Sequence, residues 1–300
     1  MSSISQSSAR EATAPTQSQS WNWVAIGWFG VLLILAYLPT LIRLVEQWDQ
    51  SEEMSHGFFV PLVAGYIVWQ KREEIGKLTL SSHWMGIVLV VLAGMQLTVA
   101  TLGAELFLAR TAFVFAVWGA VVYLGGWPLF RSLCFPLLLL LLMIPIPEII
   151  YNQITFPLQL LASRLAEWAL NLLGYPVLRE GNVLELASQK LQVVEACSGI
   201  RSLLALTFLS LVYGFFFTKT IWIRIALFLS TIPVAIAANA SRVTVTGILS
   251  EINTEYATGF YHTLSGWALF FVAFVMLAFV HQGLEWIGRR WFHGSPKTIS

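Results

Sequence analysis

The chain is 300 residues long, 57% hydrophobic and 11% charged, with a formal net charge of +1. An ordinary soluble domain carries about 25% charged residues, so this composition excludes a water-soluble globular protein. The absence of a clustered excess of Lys and Arg excludes a nucleic-acid-binding surface as well.

Residues 1–20 are rich in Ser, Gln, Ala and Thr and lack an apolar run, which predicts a disordered cytoplasmic tail and not a cleaved signal peptide. Residues 21–288 form one transmembrane domain, and 289–300 a short basic cytoplasmic tail. A span needs about 20 apolar residues. The runs 23–42, 57–70, 84–103, 106–126, 129–147, 198–217, 222–249 and 263–286 are candidates, so the expected fold is an all-α polytopic bundle of about eight transmembrane helices. The stretch 151–177 is also apolar. It carries Arg164 and Glu167 where mid-span charges would cost roughly 2.5–3.5 kcal/mol each, and is expected to be an interfacial or re-entrant helix.

Cytoplasmic loops collect Lys and Arg. Lys71, Arg72, Lys77, Arg131, Lys219, Arg224, Arg289 and Arg290 all fall inside if both termini are cytoplasmic. Glu46, Asp49, Glu52, Glu53, Glu251 and Glu255 then fall outside. Counting 151–177 as a ninth crossing would invert everything after it. Between that helix and the next span, Val183, Leu184, Leu186, Leu191, Val193 and Val194 predict a short extracytoplasmic hairpin within 179–196, turning at Ser188–Lys190.

On this topology Cys197 lies just before the outer end of a span, near a helix N-terminus whose free N–H groups lower a thiol's pKa. A buried structural thiol is the competing reading, and the flanking Ser198, Gly199 and Arg201 are unlike a span interior. Cys134, in SLCFPLLLLLL, fits that structural role. Arg242 lies within the outer half of the membrane, where an arginine demands a partner. His262 begins the last span on the same side. A thiolate nucleophile, an imidazole for proton transfer and a fixed cation for an oxyanion together make an acyl-transfer set. The sole Asp, Asp49, rules out an aspartyl dyad, and neither His-Glu-x-x-His nor Gly-x-Ser-Gly occurs.

EACSGIRSL, NASRV and the His of YHTLSGW resemble, in order and at similar spacing, the three signature segments of exosortases and archaeosortases. SHGFFVPLVAGYIVW, from Ser55 to Trp69, and IPIPEI with REGN extend the resemblance over about residues 45–286. The resemblance implies that Cys197, Arg242 and His262 are catalytic. It implies as substrates secreted proteins ending in a Pro-Glu-Pro-like motif, a transmembrane helix and a basic end. These would be cut through a thioester on Cys197 and passed to an acceptor at the bacterial plasma (inner) membrane. His56 of the Ser-His-Gly segment is expected in packing or substrate contact, and Glu180, Asn182 and Glu195 are candidate substrate-binding residues. No cofactor or metal is called for, and membrane lipids are the other expected partners. The alternatives are a transporter, which would string ionisable residues along the midplane, and a non-catalytic scaffold for exopolysaccharide assembly.

Overall fold

The computed structural model of the chain describes residues 23–51, 54–193, 199–253 and 259–292, so the tail expected at 1–20 lies outside it. Its helices are α1 (Trp23–Gln50), α2 (Phe59–Gln70), α3 (Arg72–Gly76), α4 (Met85–Leu102), α5 (Leu106–Ser132), α6 (Cys134–Leu139), α7 (Glu148–Leu172), α8 (Gly199–Phe217), α9 (Ile221–Ile252) and α10 (Gly259–Phe292). Short strands β1 (Leu178–Glu180), β2 (Val183–Glu185) and β3 (Lys190–Gln192) lie between α7 and α8. Contacts divide the chain into two compact units, Met1–Thr40 with Tyr66–Leu137, and Leu41–Gly65 with Leu138–Ser300.

The described helices α1, α4, α5, α9 and α10 are each long and apolar enough to cross a membrane, and a sixth span is possible where α6 and α7 form one bent pair. The chain is thus an all-α polytopic membrane protein. Of the other expected spans, 57–70 corresponds to the 12-residue α2 and 198–217 to the 19-residue α8. The expected span 129–147 is not one helix: it holds the end of α5, all of α6 and a 3-10 turn over Leu140–Met143. The chain then bends by 86° between Cys134–Met143 and Glu148–Leu172. Pro145 and Pro147 explain the break, since proline lacks the N–H that continues a helix and clashes with the preceding turn.

In the first unit α4 and α5 pack as an antiparallel pair joined by the Gly103–Glu105 turn. Glu105 caps α5 by accepting from Leu108 N at 2.6 Å. Lipid offers no hydrophobic drive between helices, so small residues that let backbones approach become decisive. A Cβ at Gly119 would lie 2.9 Å from the Gly86 carbonyl, and one at Gly86 would run into the backbone of Tyr123. Gln96 donates across the pair to Leu108 O at 3.0 Å and Thr111 Oγ1 at 2.8 Å. Helix α5 breaks at Gly126, whose φ of +73° and ψ of −169° suit only glycine. Lys71 Nζ donates to Ser132 O at 2.9 Å, which brings the Lys71–Arg72 cluster and Arg131 to one end of this unit.

In the second unit α9 is central, packed by α7, α8 and α10. Leu206 of α8, Val234, Ala235 and Ala238 of α9 and Ala273 of α10 form one buried core. At one end Gly288 of α10 sits against Trp222 of α9, so Lys219 and Arg224 share that end with Arg289 and Arg290. At the other end the Glu251 carboxylate accepts from Ser188 N at 2.9 Å and Ser188 Oγ at 2.8 Å. The basic residues and the sheet therefore occupy opposite ends of α9. Helix α10 continues through Arg289 and Arg290, which the sequence reading assigned to a tail.

A methyl group at Gly86 should force α4 and α5 apart, costing roughly 1–3 kcal/mol. Gly94→Ala, on the same helix with open space at its Cβ position, is expected to stay within about 0.5 kcal/mol of wild type. Melting of the two purified variants in detergent measures the difference.

Candidate active site

The three strands form an antiparallel sheet in the order β1-β2-β3, with Arg179 opposite Leu184 and Leu184 opposite Leu191. Side chains alternate across the strands, and the inward set makes a dry core. Leu184, Leu186, Leu191 and Val193 of the sheet region pack with Ala166 and Leu170 of α7 and Val243 of α9. Between β2 and β3 the chain turns through 186–189, where a hairpin was expected, and β1 adds a third strand.

The REGN segment fastens this sheet to α7. Arg179 Nε pairs with the Glu167 carboxylate at 2.8 Å, and Arg179 Nη1 donates to Gly181 O at 2.9 Å. Ser163 Oγ, fully buried on α7, donates to the same carbonyl at 3.2 Å. Gly181 takes a φ of +65°, the left-handed conformation that a tight turn asks of glycine. Asn182 contributes its backbone carbonyl, which accepts from Val193 N at 3.0 Å and so fixes the strand end four residues before Cys197. Glu180 is exposed. Outside the membrane-spanning helices, Glu185 hydrogen-bonds Lys190 at 3.0 Å and raises the ammonium above its ordinary pKa.

Cys197 and Glu195 lie outside the described residues, but the chain on both sides of them is placed. On one side Val193 shares its core with Val243, the neighbour of Arg242. On the other, α8 begins at Gly199, and Leu206 packs at the level of Val234–Ala238. Seven residues at 1.5 Å each carry Gly199 about 10 Å beyond Leu206, to the level of Arg242 in α9. Both flanks of Cys197 thus converge on the turn of α9 that carries Arg242.

Arg242 is 8% exposed, in the half of α9 nearer the sheet. One turn back, Asn239 is buried and lines a small crevice with Leu158, Leu203, Ile232, Ala235 and Ile236. His262 belongs to the first turn of α10. Counting along both helices from the Ala238–Ala273 contact sets its backbone about 10 Å further toward the sheet end than Arg242. Cys134 is a half-buried residue at the start of α6. Among the described residues no three His, Cys, Asp or Glu side chains are grouped to hold a metal ion.

His56 has a structural partner that the sequence did not reveal. The bend before α7 frees the carbonyls of the preceding turn. Trp48 Nε1 donates to Met143 O at 2.9 Å, and His56 Nε2 lies 3.3 Å from Leu142 O. Between them Gly57 has no room for a Cβ, which would collide with the Trp48 indole. Trp48 was missed because nothing local marks an indole as the donor for a backbone 95 residues away. An open hollow of about 390 Å³ lies beside the sheet, lined by Arg164, Glu167, Trp168, Asn171 and Leu172. It holds none of the expected site residues.

The family model described as transmembrane exosortase matches residues 48–279, more than three quarters of the chain. No curated protein and no solved structure matches the chain.

Trp48→Phe keeps an aromatic ring and deletes the donor to Met143, so it should cost roughly 1–3 kcal/mol by leaving that carbonyl unsatisfied. Gly57→Ala should be at least as damaging, because the collision is with a buried, hydrogen-bonded ring. Thermal melting in detergent, beside Ser51→Ala as a nearby control, would expose the claim as wrong if all three melted together.

Proposed function

We propose that this chain, which belongs to the transmembrane exosortase family, is a cysteine transpeptidase that cuts C-terminal sorting signals. The observation that carries the reading is the convergence of both flanks of Cys197 on the buried Arg242 turn of α9. A nucleophile tethered there is at the level of a fixed guanidinium, and acyl transfer needs that pairing.

In the proposed reaction the Cys197 thiolate attacks the scissile carbonyl carbon, and the negative charge that develops on its oxygen is held by Arg242. His262 delivers a proton to the departing amine as the C–N bond breaks, leaving a thioester on Cys197. An acceptor nucleophile then attacks that thioester, yields its proton to His262 and releases the thiolate. The carbonyl oxygen and the leaving nitrogen lie on different sides of the attacked carbon. Two helpers at different heights along the bundle suit that arrangement better than two at one level.

The substrates on this reading are secreted proteins whose C-terminus presents a short Pro-Glu-Pro-like motif, a transmembrane helix and a basic end. Their helix would lie in the lipid beside the bundle, with the motif at the sheet end. The basic residues at the opposite end of α9 support a cytoplasmic location for that end and an extracytoplasmic one for the sheet. Both termini are then cytoplasmic, and the membrane is the bacterial plasma (inner) membrane. Glu180, exposed on β1, Glu195 and Asn182, whose backbone carbonyl accepts from Val193 N, remain candidate contacts for the motif.

Cys197→Ala should abolish processing of a co-expressed sorting-signal protein while the enzyme remains inserted, and Cys134→Ala should process normally. Arg242→Lys keeps a charge but loses the planar fork of donors, so a fall of about 10²–10³ in rate is expected. Mass spectrometry of the substrate's new C-terminus reads all three. An active Cys197→Ala enzyme would reduce the protein to a scaffold.

Topology has its own test. A cysteine placed at Ser188 in a chain lacking both Cys134 and Cys197 should react with a membrane-impermeant maleimide from the extracytoplasmic side, and one placed at Lys77 should not. The opposite pattern would put the sheet, and the proposed site, on the wrong face.

A further inference from the structure

The first unit contains a second intramembrane arginine, for which the proposed chemistry has no use. Arg110 is 4% exposed on α5, and its Nε is enclosed without a hydrogen-bond partner. Among the described residues nothing hydrogen-bonds or ion-pairs with it. Its nearest carboxylate is Glu105, engaged as the α5 cap and felt only as a through-space attraction. Gln96 and Thr111 on this stretch of the α4–α5 pair are already bonded to each other and to backbone carbonyls, and Thr98 and Thr101 donate to carbonyls of their own helix.

Tyr37 of α1 is also 4% exposed, and its hydroxyl too is enclosed with no partner. Its ring meets Phe113 edge-on at 5.6 Å. Phe113 is three residues after Arg110, and so lies on the same strip of the helix. Two enclosed donors, one of them a permanent cation, therefore stand on neighbouring helices with no acceptor from the chain. A buried charge in that condition is strongly disfavoured unless something brings it an anion.

Depth and surroundings narrow what that anion is. Helix α5 runs 20 residues from Leu106 before its break at Gly126, about 30 Å at 1.5 Å each, which matches a hydrocarbon core about 30 Å thick. Arg110, four residues in from Leu106, then sits about 6 Å inside the edge of that core. The helix surfaces around it are exposed and apolar: Val99, Leu102, Leu106 and Leu108 on α4–α5, and Leu35 and Leu38 on α1. An anion at the edge of the hydrocarbon with apolar chains beneath it is a phospholipid headgroup. We propose that Arg110 and Tyr37 form a site for the phosphodiester of an anionic phospholipid, the guanidinium fork gripping two of its oxygens and the phenol hydroxyl donating to it.

Native mass spectrometry of the full-length protein released from detergent tests this. Phosphatidylglycerol is offered beside diacylglycerol with the same acyl chains, which lacks only the phosphodiester headgroup. Wild type should retain phosphatidylglycerol about tenfold better, and Arg110→Gln should lose that preference, as expected for one charge-assisted pair. Should Arg110→Gln fail to fold, Tyr37→Phe keeps the ring against Phe113, and its retention should fall below that of wild type. Equal retention of both lipids by wild type, or an undiminished preference in folded Arg110→Gln or in Tyr37→Phe, overturns the site. Inorganic phosphate at millimolar concentration should leave the melting temperature unchanged. An Arg110-dependent rise with phosphate, and none with phosphatidylglycerol, would mean a free anion and not a lipid.

Discussion

Hydrocarbon offers no hydrogen bonds, so every backbone N–H and C=O inside the bilayer has to find its partner within the protein. Most of this chain meets that demand with uninterrupted helix. Where the helix stops, at Ile144–Pro147, donors arrive from far along the chain as Trp48 and His56. The bend they stabilise sets the direction of α7. Helix α7 in turn holds the sheet through Ser163, Glu167 and the buried face around Ala166 and Leu170. The placement of the strand end before Cys197 is thus the last link in a sequence that begins with satisfied carbonyls.

The same demand governs the polar residues buried on α9. Thr244 and Ser250 turn their hydroxyls back onto the carbonyls of Ala240 and Gly247, at 2.9 and 2.7 Å. Such residues cost little, because the helix itself supplies the acceptor. Arginine carries five donors and a permanent charge, so burying one asks for more than a single carbonyl. Arg242 stands in the turn on which the flanks of Cys197 converge, and Arg110 in the first unit keeps its Nε enclosed without a hydrogen-bond partner.

Composition made the membrane and the all-α class legible, and the segments around Cys197, Arg242 and His262 made the family legible. The hydrophobic alternation of 183–194 pointed to paired strands, which stand at 178–192. Helix number was less readable, because apolar content records where a chain tolerates lipid and not where its helices end. Residues 129–147 are apolar throughout, yet Pro145 and Pro147 halt the helix, and Gly126 breaks α5 where the sequence suggested a loop between two spans. His56 was recognisable as part of a motif and was expected in packing or substrate contact, but the carbonyl it meets, 86 residues away, left no local mark. The backbone bond from Val193 N to Asn182 O could not be read from the sequence either, since main-chain pairing leaves no mark on the residue that carries it.

The clasp between Trp48, His56 and the Leu140–Met143 turn has a bearing on how the protein is made. A chain is synthesised from its N-terminus, and the two donors leave the ribosome some ninety residues before the carbonyls they meet. When the proline-broken segment enters the bilayer its partners are already there, so the exposed carbonyls need never wait in lipid. Order of emergence therefore protects this proline-broken stretch of backbone. A permuted gene that encoded residues 41–65 last would specify the same contacts, but would ask the bend to persist unsatisfied until its donors arrived.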